Sequence, residues 1–320
     1  MENNKMQTES LQAIQSLKEV ALAGVKEQRA ARRWKIFFIL IFFLMFFFSM
    51  MTIKTLSTIK DSRFTVAEQY TALIEIKGII MPDADASAKN IIPVLQEAFE
   101  DEKVKGIILQ CNTSGGSPVQ SSLIYDEIMR LRDLYKDKPI YAVAEDLCAS
   151  GGYFIVSATE KIYANPSTLI GSIGVRMQSF GLVEVMKKIG IESREMTAGK
   201  YKALIDPFKP RTPEAESHIK KMLKTTHEHF ISAVKKGRGD RLKDNEDIFS
   251  GLFWTGKDAK ELGIIDEFGS TESVARDIFK AETIINFSPK KTFLDKLSNR
   301  VGVSVSNYLL QSDLPQTVLY

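Results

Sequence analysis

An α/β protein built on a largely parallel sheet is what three features of this 320-residue sequence predict. Short apolar runs at 71–81, 104–111 and 139–145 alternate with stretches at helical spacing, 90–102 and 121–137. Connections of ten or more residues between strands are crossovers, and crossovers make neighbouring strands parallel. Glycine-rich turns, CNTSGGS (111–117) and CASGG (148–152), directly follow the second and third apolar runs. In an open parallel sheet that is where ligands and catalytic groups gather.

The elements then follow in order. A helix is expected from Ser150 to Thr159, short strands at 161–166 and 192–197, and a helix over 182–190. Thr212 as N-cap, Pro213 at the first helical position and Gly237 at the end frame one long helix. Beyond it, 251–270 reads as a short helix with a strand-like end, and 273–282 as one more helix. Near the C-terminus Leu294, Leu297, Val301, Val305 and Tyr308 fall near one helical face, suited to a partner subunit or the membrane surface. There is no internal repeat.

The first 35 residues read as a polar helix, with seven Lys/Arg against four Glu, which accounts for the whole net charge of +3. The remainder is neutral, which argues against nucleic acid as a partner. Residues 36–53, IFFILIFFLMFFFSMMTI, carry no charge and span about 27 Å as a helix, close to the hydrocarbon thickness of a bilayer. This is the pattern of a transmembrane helix. Lys26, Arg29, Arg32, Arg33 and Lys35 flank it, so the N-terminus is expected in the cytoplasm and the rest outside the inner membrane, in the periplasm or its equivalent. The long flank, the length of the apolar core and the lack of a small-x-small site favour an uncleaved anchor over a signal peptide. The expected organisation is a cytoplasmic segment (1–35), an anchor (36–53), a stalk (54–69), a catalytic domain (70–285) and a C-terminal segment (286–320).

Cys111 and Cys148 are the only cysteines. They have no zinc-ligand spacing and read as two small buried residues, although an oxidising compartment would allow one bond between them.

Ser150 sits among small residues at a strand-to-helix turn, open to an incoming carbonyl. The facing glycines leave backbone N–H groups uncovered, as an oxyanion hole requires. A serine nucleophile needs a base. His218, His227 and His229 all fall within the long helix and read as surface positions. The remaining choice is lysine, and TAGKYKALIDPF (197–208) offers Lys200 and Lys202. A buried lysine can be shifted from about 10.4 to about 7 or 8 by desolvation, which makes it a competent base. Lys202 has the less polar neighbours. Its bland alternative is a surface lysine paired with Asp206.

CNTSGGSPVQSS, AEDLCASGGYFIVSA, ANPSTLIGSIGV, GKYKALIDPF and FWTGKDAKELGIIDEFG, in this order over about 70–275, resemble the consecutive motifs of the signal peptide peptidase A (SppA-type) serine proteases. The resemblance implies a ClpP/crotonase-like α/β fold of repeated ββα units and a Ser/Lys dyad: Ser150 as nucleophile, Lys202 as general base and Ser172 supporting the lysine. The oxyanion donors are expected from Gly151 and from Gly116 or Gly115. Where the family has Asn-Ser-Pro-Gly-Gly, this chain has Asn112-Thr113-Ser114-Gly115-Gly116, without the proline. The length matches the short form of the family, a homo-oligomer in which neighbouring protomers share each site. Peptides, above all spent signal peptides and unfolded segments, are the implied substrates, with no metal or cofactor. An acyl-thioester enzyme of the crotonase type and an inactive membrane scaffold are the two competing function classes.

Overall fold

The computed structural model describes residues 32–51 and 69–289. It divides into two units, Met1–Ala67 and Glu68–Tyr320. In the first, helix α1 (Arg32–Met51) is 20 residues long and apolar enough to cross a membrane, with all its residues exposed. The expected stalk, the polar N-terminal helix and the amphipathic C-terminal helix fall almost wholly outside the described residues.

In the second unit, single strands and helices alternate: β1 (Tyr70–Lys77), α2 (Ala88–Glu100), β2 (Val104–Thr113), α3 (Pro118–Leu134), β3 (Ile140–Ala149) and α4 (Gly151–Val156). α2 buries one stripe, Ile91, Leu95, Ala98 and Phe99, four residues at helical spacing. Ser117 caps α3 by accepting the Gln120 N–H, and Pro118 takes the first position, where no N–H is needed. β2 runs buried from Gly106 to Leu109, as a parallel strand covered on both faces must.

β4 (Lys161–Ala164) and β5 (Leu169–Gly171) follow, then α5 (Val183–Ile189), the long α6 (Pro213–Arg238), β6 (Phe253–Thr255), α7 (Gly256–Glu261), β7 (Glu267–Phe268), the one-turn α8 (Thr271–Ser273) and β8 (Ile284–Asn286). Strand order is β6-β5-β3-β2-β1-β8, with β4 pairing β3 and β7. Every pair is parallel except β5 with β6. The strand–strand–helix repeat takes an altered form here. β3 is one continuous strand whose first part pairs β4 and whose last part pairs β5. The division survives as a break in the β2–β3 register between Cys111 and Thr113.

α6 is held at its C-terminal half. Arg238, 1 % exposed, donates to Asp266 (2.7 Å) and to the Gly263 carbonyl. Tyr125 donates to the Ala233 carbonyl (2.8 Å), and Phe154 stacks on Phe230 with centroids 4.8 Å apart. Burying one such phenylalanine is worth about 2–3 kcal/mol.

Three expectations fail. Residues 192–197 form no strand: each is exposed, and no strand of the sheet pairs with them. The helix expected over 273–282 shrinks to α8 and a π-helical turn, Val274–Ile278. Cys111 and Cys148 are bonded to each other, because β2 and β3 bring their Cα atoms to 5.5 Å.

Candidate active site

Two turns meet at the carboxyl ends of β2 and β3. The first is Ser114-Gly115-Gly116. Its Gly115 carbonyl accepts the Ile80 N–H (3.0 Å), and the Ile80 carbonyl accepts the Ser117 N–H (2.7 Å). The second is Ser150-Gly151, where the Ser150 N–H donates to the Gly171 carbonyl at the end of β5 and the Ser150 carbonyl accepts from Phe154, both at 2.9 Å. Ser150 is thereby tied on one side to the sheet and on the other to α4, and it caps α4 from φ 52°, ψ −119°. A non-glycine residue holds such a conformation only where its surroundings over-determine it.

The turns are in van der Waals contact through their glycines. Gly115 lies at φ +96°, and a Cβ there would sit 2.7 Å from the Gly151 nitrogen and 2.8 Å from the Ser150 Cβ. A Cβ on Gly151 would lie 3.3 Å from the Gly116 nitrogen. Only residues without side chains permit this approach. The Gly115 N–H donates to Thr113 Oγ1 (3.0 Å), whereas the N–H groups of Gly116 and Gly151 have no acceptor among the described residues. Thr113 Oγ1 in turn donates to the Gly78 carbonyl, which ties the glycine turn to the end of β1.

Above them lies a cavity of about 880 Å³. Ser150, Gly116, Gly151 and Ser172 line it, with Ile79, Val175, Phe154 and Phe230 among its apolar walls. Ser172, half-buried, also has a positive φ of 49° and donates its N–H to the Leu252 carbonyl (2.8 Å).

His227 lines the same cavity and was missed as a site neighbour from the sequence. It is half-buried, and its Nε2 lies 3.1 Å from the Ile173 carbonyl oxygen. A carbonyl only accepts, so Nε2 carries a proton there and is not free to take one from serine. His218 and His229 are exposed as expected.

Among the described residues, no lysine lines this cavity. Lys202 is exposed within a run of turns, with its N–H on the Gly199 carbonyl (3.1 Å), and it makes no ion pair with Asp206, whose carboxylate accepts from the Phe208 N–H. Lys200 borders a separate hollow and lies 5.0 Å from the centroid of the Tyr201 ring. The whole stretch from 176 to 214 contains no buried residue, while Phe180, Ile189, Ile191 and Met196 are exposed, the last by 98 %. Among titrating groups near the site, burial pushes the Tyr125 hydroxyl up, and that of Tyr153 to about 12. No cluster of His, Cys, Asp and Glu able to hold a metal is present among the described residues.

The model of "Peptidase family S49" matches residues 132–284, which include Ser150, Ser172 and Lys202. "Putative protease MJ0651" of Methanocaldococcus jannaschii is 33% identical over 231 residues, 72% of each chain. "Putative signal peptide peptidase SppA" of Enterococcus faecium is 30% identical over 194 residues, 61% of this chain and 56% of that protein. A Brucella abortus (strain 2308) protein named "Na(+)/H(+) antiporter NhaA" is 40% identical over 224 residues, 68% of this chain. The chain spans only 30% of that longer protein. On the family match and these identities together, the chain belongs to peptidase family S49, with the SppA-type serine proteases.

Proposed function

We propose that this chain is a membrane-anchored serine endopeptidase with a Ser150/Lys202 dyad, which degrades spent signal peptides and unfolded segments at the outer face of the cytoplasmic membrane. The observation that carries the reading is the contact between the two glycine turns, which sets two open N–H groups, Gly116 and Gly151, beside Ser150. Ser150 Oγ attacks the peptide carbonyl, and the neutral amine of Lys202 takes the serine proton and returns it to the leaving amine. The two N–H groups hold the tetrahedral oxyanion, each donor worth about 3–4 kcal/mol. Water then hydrolyses the acyl-enzyme on Ser150. Ser172 orients the lysine. Gly115 has its N–H on Thr113, so its part is steric: it lets the two turns touch.

Lys202 reaches Ser150 from a neighbouring protomer. Supporting this are the absence of lysine from the cavity lining among the described residues and the row of exposed apolar side chains over 176–214, which another surface would cover. An extended peptide would add as a strand beside the cavity, with alternate side chains entering its apolar walls. α1 serves as the anchor, with the N-terminus cytoplasmic. The disulfide supports a catalytic domain on the oxidising side.

The test is cleavage of casein or a signal peptide by the detergent-purified full chain, comparing wild type, Ser150→Ala, Lys202→Ala and a subunit-exchanged mixture of the two variants. Both single variants are expected to be inactive and the mixture active. A Ser150→Ala chain that cleaves as well as wild type overturns the reading; a dead mixture after proven exchange places both residues in one chain.

A further inference from the structure

The disulfide lies where strand pairing stops. β2 and β3 pair regularly from Ile107 with Ile140 to Cys111 with Ala144, and pairing resumes only at Thr113 with Cys148. One residue of β2, Asn112, therefore faces three of β3, and residues 145–147 have no backbone partner on β2, although the Asn112 amide donates to the Glu145 and Asp146 carboxylates (3.2 and 3.4 Å). Beyond this break lie both turns of the site: Ser150 is two residues after Cys148, and Gly115 and Gly116 follow Thr113. A ladder fixes register only while it is continuous. The bond joins Cys111, the last residue before the break, to Cys148, the first after it.

The two sulfurs also lie under the turn that carries the serine. A Cβ on Gly152 would sit 3.2 Å from Cys111 Sγ and 3.7 Å from Cys148 Sγ. Both cysteines are fully buried. The side chain that bonds the Gly115 N–H, Thr113, belongs to the same packed group, since it also contacts Gly152.

We propose that the Cys111–Cys148 disulfide is a positioning element of the active site, which holds the strand end bearing Ser150 against the strand end bearing Gly116. It touches no reacting atom. It sets the spacing between nucleophile and oxyanion donors across a stretch where backbone pairing cannot. This rests on the serine-protease reading of the site. Loss of the bond lowers kcat and leaves KM nearly unchanged, because, of the cavity's apolar walls, only Phe154 follows the serine turn, while Ile79, Val175 and Phe230 lie on other segments.

The test uses the detergent-purified full chain with an internally quenched signal peptide. Wild type, Ser150→Ala, Cys111→Ala/Cys148→Ala and Cys111→Val/Cys148→Ala are compared for kcat, KM and melting midpoint, the valine refilling the space the sulfurs leave. Both cysteine variants are expected to lose about 10- to 100-fold in kcat, with KM within about twofold. Valine is expected to raise the melting midpoint of the alanine pair without restoring kcat. Wild-type kcat in either variant overturns the proposal, as does a kcat that recovers together with the melting midpoint.

Wild type reduced with excess dithiothreitol provides a second route if the variants do not fold. Two thiols form as the reagent closes to its cyclic disulfide, and the thiol count is read by mass after alkylation. The same fall in kcat, reversed on reoxidation, supports the proposal, and unchanged kcat in the fully reduced chain overturns it. If oxidised wild type is inactive, or Ser150→Ala matches it, the protease reading itself has failed and the proposal falls with it; if only the disulfide-free forms match wild type, the failure is confined to the disulfide.

Discussion

Two stretches of the same chain are built on opposite terms. From 140 to 173 the backbone is threaded through sheet and helix, most of its large apolar side chains are buried, and Ser150 is held from both sides. From 176 to 214 nothing is buried, and the one helix, α5, buries no residue at all. Hydrophobic burial is the main driving force for order, so the first stretch is specified by its own chain, while the second leaves its apolar side chains uncovered. Under the proposed Ser150/Lys202 assignment, one protomer alone would hold only half of the site.

The sharpest way to break that contrast is in the rigid half. Gly115→Ala puts a methyl group where the Gly151 nitrogen lies 2.7 Å away, at a φ of +96°. Activity is expected to fall by about 10²–10³-fold, the scale of losing an oxyanion donor, while the fold survives. Wild-type turnover with an intact melting transition would show that the turns need not touch.

A smaller effect is expected in the exposed half. Ile191→Asp/Met196→Asp should lower the oligomeric mass in light scattering and reduce cleavage by about tenfold, yet leave the melting of the core unchanged, because neither side chain is buried in the single chain. A matching fall in the melting midpoint would mean that the stretch folds onto its own protomer.

The smallest effect concerns pH. The Tyr153 hydroxyl, donating to the Ile264 carbonyl (2.9 Å), is pushed by burial from 10.0 to about 12. A group whose folded value is raised contributes stability that is complete below the unfolded value and lost as pH rises through the folded one. Stability should therefore decline between pH 10 and about 12, and Tyr153→Phe should flatten that decline in chemical denaturation while barely altering activity at neutral pH.

Much of the fold is legible in the sequence because its signals are local. Thr212 and Pro213 announce α6, and the Thr212 side chain does accept the Ala215 N–H. Strand and helix alternate as their periods predict up to α4. What could not be read depends on distant partners. β6 and β8 are three residues long, too short to show a period. The disulfide joins residues 37 apart that only the β2–β3 pairing brings together. His227 meets the site through a carbonyl 54 residues away, which no spacing on its own helix reveals. Thr113, the last residue of β2, carries no signal of its own in the sequence, yet its hydroxyl accepts the Gly115 N–H and so leaves Gly116 as the open donor.

The backbone at Ser150 and Ser172 carries an evolutionary consequence. Both serines sit at positive φ, 52° and 49°, where side-chain-bearing residues are held at a cost of about 1–3 kcal/mol each. Glycine would relax either position. Selection for stability alone would thus erase both hydroxyls, and a lineage that stopped using them would drift toward glycine at 150 and 172.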